Sequence, residues 1–330
     1  MASPATMTHS SRRMAVVADI LLFSVAIFWG GNFVFIKSAV ERTSVVAGGS
    51  IVAGTMLYLL LRYVVATGIF AAAQPKSWLK ASRRDWKMGG LLGSFYLTAL
   101  VLQTIGLQRT SPGVSGFITG MSVAMVPFLY WAVARRSPGK WQIIGAIVAT
   151  IGLGALSLQG DFSIRWGDAM TLLATLFYAL HIMTTGFFAP KVHPSTLAVT
   201  QMIVSTAALA VLTPFFVHIT FDLPWQVWAA VVWTALSGTI YAFFIQSWAQ
   251  RYTTSTHAAI LLGFESVFAA IAGIAFGMDS VTWRLLVGGS LMLSGVFIVE
   301  LLPSSNSVVA EIEAEEGPAA AISPTRPVDS

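Results

Sequence analysis

The chain is divided into apolar runs of about 20 residues joined by short polar loops, and no other feature constrains its folding so strongly. The runs fall at 17–40, 47–72, 88–107, 113–134 and 141–158, and then at 169–188, 196–216, 226–248, 258–276 and 283–302. A helix of that length crosses the roughly 30 Å hydrocarbon core of a bilayer. Among open segments only a helix satisfies its own backbone there. The residues are 56% hydrophobic and 10% charged, against about 25% charged in soluble proteins. The sequence therefore predicts an all-α membrane protein of ten transmembrane helices, with no room for a soluble domain.

Basic residues orient it. Arg12, Arg13, Lys76, Lys80, Arg83, Arg84, Lys87, Arg135, Arg136, Lys140, Lys191 and Arg251 fall on one side, and Lys37, Arg42, Arg109, Arg165 and Arg284 on the other. Twelve against five places both termini in the cytoplasm under the positive-inside rule. The formal charge of +5 thus reads as topology and gives no case for a nucleic-acid partner. Residues 1–16 form a cytoplasmic tail, and the run after Arg12-Arg13 lacks a small-residue cleavage site, as an uncleaved first span would. After Pro303 the chain turns to Ser, Ala, Pro and Glu, a composition that cannot bury a core, so 303–330 is expected to be a disordered cytoplasmic tail. There are no cysteines, which excludes disulfides, thiol catalysis and Cys-based metal sites.

The two halves resemble each other. A shift of 143 residues lays 94–158 over 237–301 without a gap, matching Gln103 with Gln246, Gly120 with Gly263, Gly145 with Gly288 and Gly152 with Gly295. The identities number ten in 65, so the matched span boundaries argue for duplication more strongly than the identities. A shift of 149 lays Asp19, Phe28 and Trp29 over Asp168, Phe177 and Tyr178, and Asn32 over His181. Five spans per copy is an odd number, so the second copy must enter the membrane from the opposite side. The expected plan is two inverted five-helix repeats, 17–158 and 159–302. Secondary transporters of this plan bind substrate near the midplane between repeats.

Polar residues inside the spans are the candidate site. Asn32 sits in Phe28-Trp29-Gly30-Gly31-Asn32-Phe33, where an amide is tolerated only if it faces protein or a water-filled cavity. Gly30 and Gly31 would let another helix approach, and Trp29 would supply an aromatic wall. Glu265 is the carboxylate furthest inside a span, about 10 Å below the inner face at about 1.5 Å per residue. It suits proton coupling, or a counter-ion for a substrate amine, against the plainer role of locking two helices. His181 lies in the middle of the sixth span and could relay protons or bond a substrate, although a lone His more often packs. Gln103 and Gln246 offer donors and acceptors to a zwitterion, or serve as interhelical glue. Tyr96, Tyr178 and Tyr241 would add aromatic faces for an apolar or cationic substrate. Lys37, near the outer end of its helix, would snorkel or steer a carboxylate. Gly116-Gly120 and Ala269-Gly273-Gly277 are spaced as close helix contacts.

An enzyme reading fails on geometry. Gly113-Val114-Ser115-Gly116 resembles the nucleophile motif of rhomboid proteases, with His181 as a conceivable base. Ser115 begins its span, whereas His181 is mid-span, a difference in depth of roughly 15 Å. A nucleophile and its base need about 3 Å. No P-loop, HExxH or GxGxxG motif is present, so neither a cofactor nor a metal is expected.

With these residues in view, the chain resembles the drug/metabolite transporter superfamily, of the EamA type, over about residues 17–302. The resemblance rests on Trp29-Gly30-Gly31-Asn32-Phe33, on Gly167-Asp168 with Tyr178, on Gly145, Gly152, Gly288-Gly289 and Gly295, and on the Glu265 region. It implies ten helices in inverted repeats and export or exchange of small metabolites, often amino acids, across the bacterial inner membrane. Family members often carry an arginine in the second helix, where this chain is expected to have only an apolar stretch near Val52. The usual Pro after the ninth-helix Glu is Ser266 here. The favoured substrate is an amino acid, moved by alternating access with or without proton coupling. A lipophilic-cation exporter and a non-transporting sensor or scaffold are the competing readings. The repeats supply both halves of a cavity, so one chain should suffice.

Overall fold

A computed structural model describes residues 9–134, 139–157, 165–253, 258 and 261–301. The expected tail after Pro303, the Arg135-Arg136 pair and residues 1–8 lie outside the described residues. The described residues fold into helices, α1 (His9–Val46), α2 (Ile51–Ala73), α3 (Pro75–Leu79), α4 (Arg83–Leu107), α5 (Pro112–Ala134) and α6 (Lys140–Ser157). The second half contains α7 (Trp166–Phe188), α8 (Pro194–Leu212), α9 (Trp225–Ala235), α10 (Ala242–Ala249), α11 (Glu265–Ala275) and α12 (Trp283–Leu301). Between α9 and α10 lies a π-helical segment, Leu236–Tyr241. Among the described residues, six helices are long and apolar enough to cross a membrane, and four shorter apolar helices, Pro112–Val126, Ile143–Ala155, Leu261–Ala275 and Trp283–Ile298, accompany them.

Local chemistry sets the helix ends. Ser82 and Asp85 form a reciprocal capping box at the start of α4, with Ser82 Oγ accepting from the Asp85 amide at 3.2 Å and Asp85 Oδ2 accepting from the Ser82 amide at 2.9 Å. This satisfies two of the amides a helix N-terminus leaves free. Pro75 and Pro194 open α3 and α8, where the missing amide has no partner to lose. Gly277 ends α11 at φ +70°, and a Cβ added to it would meet nothing within 4 Å. It therefore serves a turn and not the helix seam expected for it.

The helices pair across the halves. α4 packs on α7 and α8, α1 on α9 and α10, α5 on α7 and α11, α1 on α11, α2 on α8, and α6 on α12. Apolar side chains gain little from meeting one another in lipid, so close backbone approach has to hold such pairs. Glycines permit it. A Cβ on Gly152 of α6 would lie 2.7 Å from the Gly288 carbonyl of α12, and one on Gly295 of α12 would lie 2.5 Å from the Gly145 carbonyl of α6. Gly106 and Gly167 bring α4 against α7 in the same way, each Cβ meeting the other's carbonyl at 2.6 Å.

Candidate functional site

A cavity of about 50 Å³ lies among α1, α2, α4, α5, α7, α10 and the start of α11. That is room for a few waters, so a metabolite fits only if the walls part. Trp29, Asn32, Tyr96, Gln103, Tyr178, His181, Gln246 and Glu265 all line it. Eight of the nine site residues drawn from the sequence are therefore brought together; Tyr241 is not.

Tyr241 closes the π segment, and its hydroxyl lies 2.7 Å from Ser24 Oγ of α1, with its ring edge-to-face on Phe28. A π turn holds more residues per turn than an α turn, so α-helical spacing does not give the face a residue there presents.

The π segment anchors the first-half wall through three consecutive residues. Asn32 Nδ2 donates to Ser237 Oγ at 3.2 Å, Trp29 Nε1 donates to the Gly238 carbonyl at 3.1 Å, and Arg62 Nε donates to Thr239 Oγ1 at 2.9 Å. Gly238 makes room for these two side chains, because a Cβ there would lie 2.5 Å from Asn32 Nδ2 and 2.8 Å from Arg62 Nη2 and would push one or both aside.

Arg62 corrects the sequence reading. The second helix does contain an arginine, eleven residues from either end of α2, or about 16 Å at 1.5 Å per residue. It is 2% exposed and lines the cavity, and its Nη1 has no hydrogen-bond partner. The signal was present in the sequence, since an ionisable residue in mid-span defaults to function.

Glu265 opens α11 on another wall and is 8% exposed. Among the described residues no hydrogen bond reaches its carboxylate, and no ion pair joins it to Arg62 within 4.0 Å. Gly30 brings its backbone close: a Cβ on Gly30 would lie 2.5 Å from the Glu265 carbonyl, whereas Gly31 has nothing within 4 Å. Only one of the adjacent glycines therefore serves the close approach expected of both.

Other polar residues are tied down. Tyr178 OH donates to Gln103 Oε1 at 2.8 Å, and Gln103 Nε2 donates to Thr119 Oγ1 at 2.7 Å. His181 Nε2 lies 3.1 Å from Gln201 Oε1 of α8. Tyr96 packs edge-to-face with Tyr178, His181 and Phe243. Gln246 Nε2, by contrast, is buried without a partner. Lys37 stays out of the cavity and donates to the carbonyls of Leu107 and Thr110. Ser115 lies 3.5 Å from Thr171, ten residues before His181 along α7, so the serine and the histidine are not brought together.

The lining mirrors the sequence repeat. Gln103 and Gln246, Thr119 and Leu262, Gly120 and Gly263, and Ser122 and Glu265 are related by 143 residues, and every one lines the cavity. Trp29 and Tyr178, Asn32 and His181, and Phe33 and Ile182 are related by 149, and all line it too.

An apolar helical bundle holding a cavity lined by polar and apolar side chains from both halves of its chain fits a membrane protein of the transporter class. The chain belongs to the EamA-like transporter family, whose model matches residues 16–158 and again residues 165–301. It is similar to an uncharacterized transporter of Archaeoglobus fulgidus, 30% identical over 286 residues that cover 86% of each chain. The uncharacterized transporter YyaM of Bacillus subtilis is 22% identical over 290 residues, covering 84% of this chain and 91% of its own. A solved crystal structure superimposes with a TM-score of 0.63 at 14% identity, covering 87% of this chain and 97% of its own. That likeness concerns the fold alone.

Proposed function

We propose that this transporter moves a small organic metabolite, amino acids favoured, by alternating access between two inverted five-helix repeats. The observation that carries the reading is the cavity, whose lining is contributed in repeat-related pairs by both halves. Exchanging the halves also maps the helix pairings onto themselves: α1 with α11 becomes α7 with α5, and α4 with α8 becomes the α9–α10 unit with α2. A pseudo-twofold of this kind lets one scaffold open to either side by trading the conformations of its repeats. The six long and four shorter apolar helices are the ten spans of that plan. The basic-residue bias supports both termini lying in the cytoplasm, and the family resemblance supports export or exchange across a bacterial inner membrane. Both cavity walls come from one chain, which supports a working monomer.

Glu265 is the proton-coupling group of this reading, since its carboxyl lines the cavity without a partner among the described residues. Counterflow uptake in proteoliposomes over an amino-acid panel tests the proposal, with wild type beside Glu265→Gln. Saturable exchange of at least one amino acid is expected. The variant should lose accumulation driven by a pH gradient and retain exchange only at weakened affinity. Export of cationic dyes with no amino-acid exchange would overturn the substrate class. A cavity sealed to water-soluble thiol reagents from both sides, read with cysteines at positions 32, 103 and 246 in this cysteine-free chain, would overturn transport itself.

A further inference from the structure

Arg62 is the charge that the fold leaves unanswered. Its guanidinium is a cationic group, and it is held 2% exposed midway along a membrane helix. Burying a charge is costly unless it is paired. Its one hydrogen bond goes to the neutral hydroxyl of Thr239, and Nη1 is buried with no partner. The nearby polar groups do not neutralise it, since Asn32 is committed to Ser237. The opposite charge lining the cavity is Glu265, on a different helix and without a partner among the described residues.

The two charges also break the symmetry of the lining. Glu265 stands where the first half has Ser122. Arg62 has no charged counterpart, since the corresponding part of α8, Ser205–Val211, is uncharged. The cavity therefore has a basic wall and an acidic wall, and the amides of Asn32, Gln103 and Gln246 line it as well.

We propose that Arg62 is the carboxylate-recognition residue of this cavity and that the transported class is a small zwitterion, held with its carboxylate on Arg62 and its ammonium on Glu265. This rests on the transport reading above and adds what that reading lacks, the group that receives the acid end. A planar guanidinium presents paired donors that match a carboxylate. Thr239 fixes the Nε edge and leaves the Nη side for the ligand. A zwitterion answers both charges at once. A lipophilic cation would leave Arg62 unanswered, and a simple anion would leave Glu265 so.

The test begins on the wild-type protein in detergent, with ligand-induced shifts in melting temperature over the proteinogenic amino acids. The amino acid giving the largest shift is compared with its carboxamide, its deaminated acid and tetraphenylphosphonium. The amino acid should stabilise the protein while the amide and the deaminated acid do so weakly or not at all. Arg62→Gln should weaken its binding by about thirtyfold or more, as expected for removing one member of a buried charge pair. Arg62→Lys should keep part of the affinity. Thr239→Val, which removes the Nε acceptor and keeps the charge, should lose only a few-fold.

An amide that binds as well as its acid would overturn the proposal without any variant, so a poorly folded Arg62→Gln leaves it falsifiable. Unchanged affinity in a folded Arg62→Gln would overturn it too, as would stabilisation by tetraphenylphosphonium and by no amino acid. Counterflow separates this failure from that of transport. Exchange of a non-zwitterion sinks the Arg62 assignment alone, whereas no exchange of any solute sinks the transport reading beneath it.

Discussion

Gly30 and Gly31 are adjacent in one helix, so any difference between Gly30→Ala and Gly31→Ala comes from what each would touch. Both variants gain helix propensity, about 1 kcal/mol per glycine replaced. At Gly31 nothing lies within 4 Å, and the gain stands alone. At Gly30 the new methyl would lie 2.5 Å from the Glu265 carbonyl oxygen, 2.6 Å from Phe268 Cβ and 2.8 Å from the Ala269 amide nitrogen. Ordinary contact between such atoms needs roughly 3.5–4.0 Å, and two of the three belong to backbone. α11 must therefore retreat by about 1 Å, and overpacking of this kind costs about 1–3 kcal/mol. The expected result is a modestly raised apparent melting temperature for Gly31→Ala and a lowered one for Gly30→Ala. The two should be compared in one detergent at one heating rate, because unfolding of such proteins is commonly irreversible. The retreat would carry Glu265 with it, so counterflow exchange should fall in Gly30→Ala and hold in Gly31→Ala. Shifts of the same sign and size in both variants would refute the close packing of α1 on α11.

The remaining predictions follow from two other close contacts. Gly238→Ala would drive a methyl against Asn32 Nδ2 and Arg62 Nη2; misplacements of about 1 Å in a binding site cost up to about a hundredfold, so exchange should fall at least tenfold in a protein that still folds. Retained exchange in proteoliposomes would detach the π segment from the site. At the end of the bundle carrying the α4–α5 and α11–α12 loops, Asp279 Oδ2 accepts from the Gly113 amide at 2.7 Å, beside the Pro112 start of α5. A carboxylate at a helix N-terminus contributes about 0.3–1 kcal/mol, so Asp279→Asn should loosen this seal. A cysteine replacing buried Thr110 should then react faster with a membrane-impermeant maleimide than in the Asp279 background, and equal rates would count against the seal.

What the sequence disclosed and what it withheld differ in physical kind. Apolar runs and the polar residues inside them are local properties, so the spans and eight residues of the cavity wall were legible one position at a time. Contacts between distant segments were not. Nothing in Trp29-Gly30-Gly31-Asn32 tells which glycine meets α11, because that depends on the rotation of α1 against a helix more than two hundred residues away. Tyr241 falls outside the cavity lining because a π turn changes the angular register, and no periodicity in Leu236–Tyr241 announces it. Arg62 was overlooked for the opposite reason, since a strongly local signal was averaged away. The most apolar window of α2 has a mean hydropathy of 1.8, high enough for one arginine to disappear among leucines and tyrosines.

That oversight bears on how a duplicated scaffold acquires specificity. A pseudo-twofold cavity with matching walls would treat both ends of a ligand alike, as Gln103 and Gln246 could. Discrimination then has to reside where the copies disagree. Here they disagree at Ser122 against Glu265, at Asn32 against His181, and at Arg62 against an uncharged helix. The repeat can still supply the motion, because alternating access needs the backbones of the two halves to be interchangeable and does not need their side chains to be. Grafting the acidic group onto the other half, with Ser122→Glu in a Glu265→Ser background, separates the two roles. The rearranged protein should fold, because position 122 already faces the same cavity, and it should lose the orientation in which a zwitterion bridges the charges. Saturable exchange at wild-type affinity for the same amino acid would mean that placement of the charges is immaterial, and the assignment of specificity to the asymmetric positions would fail.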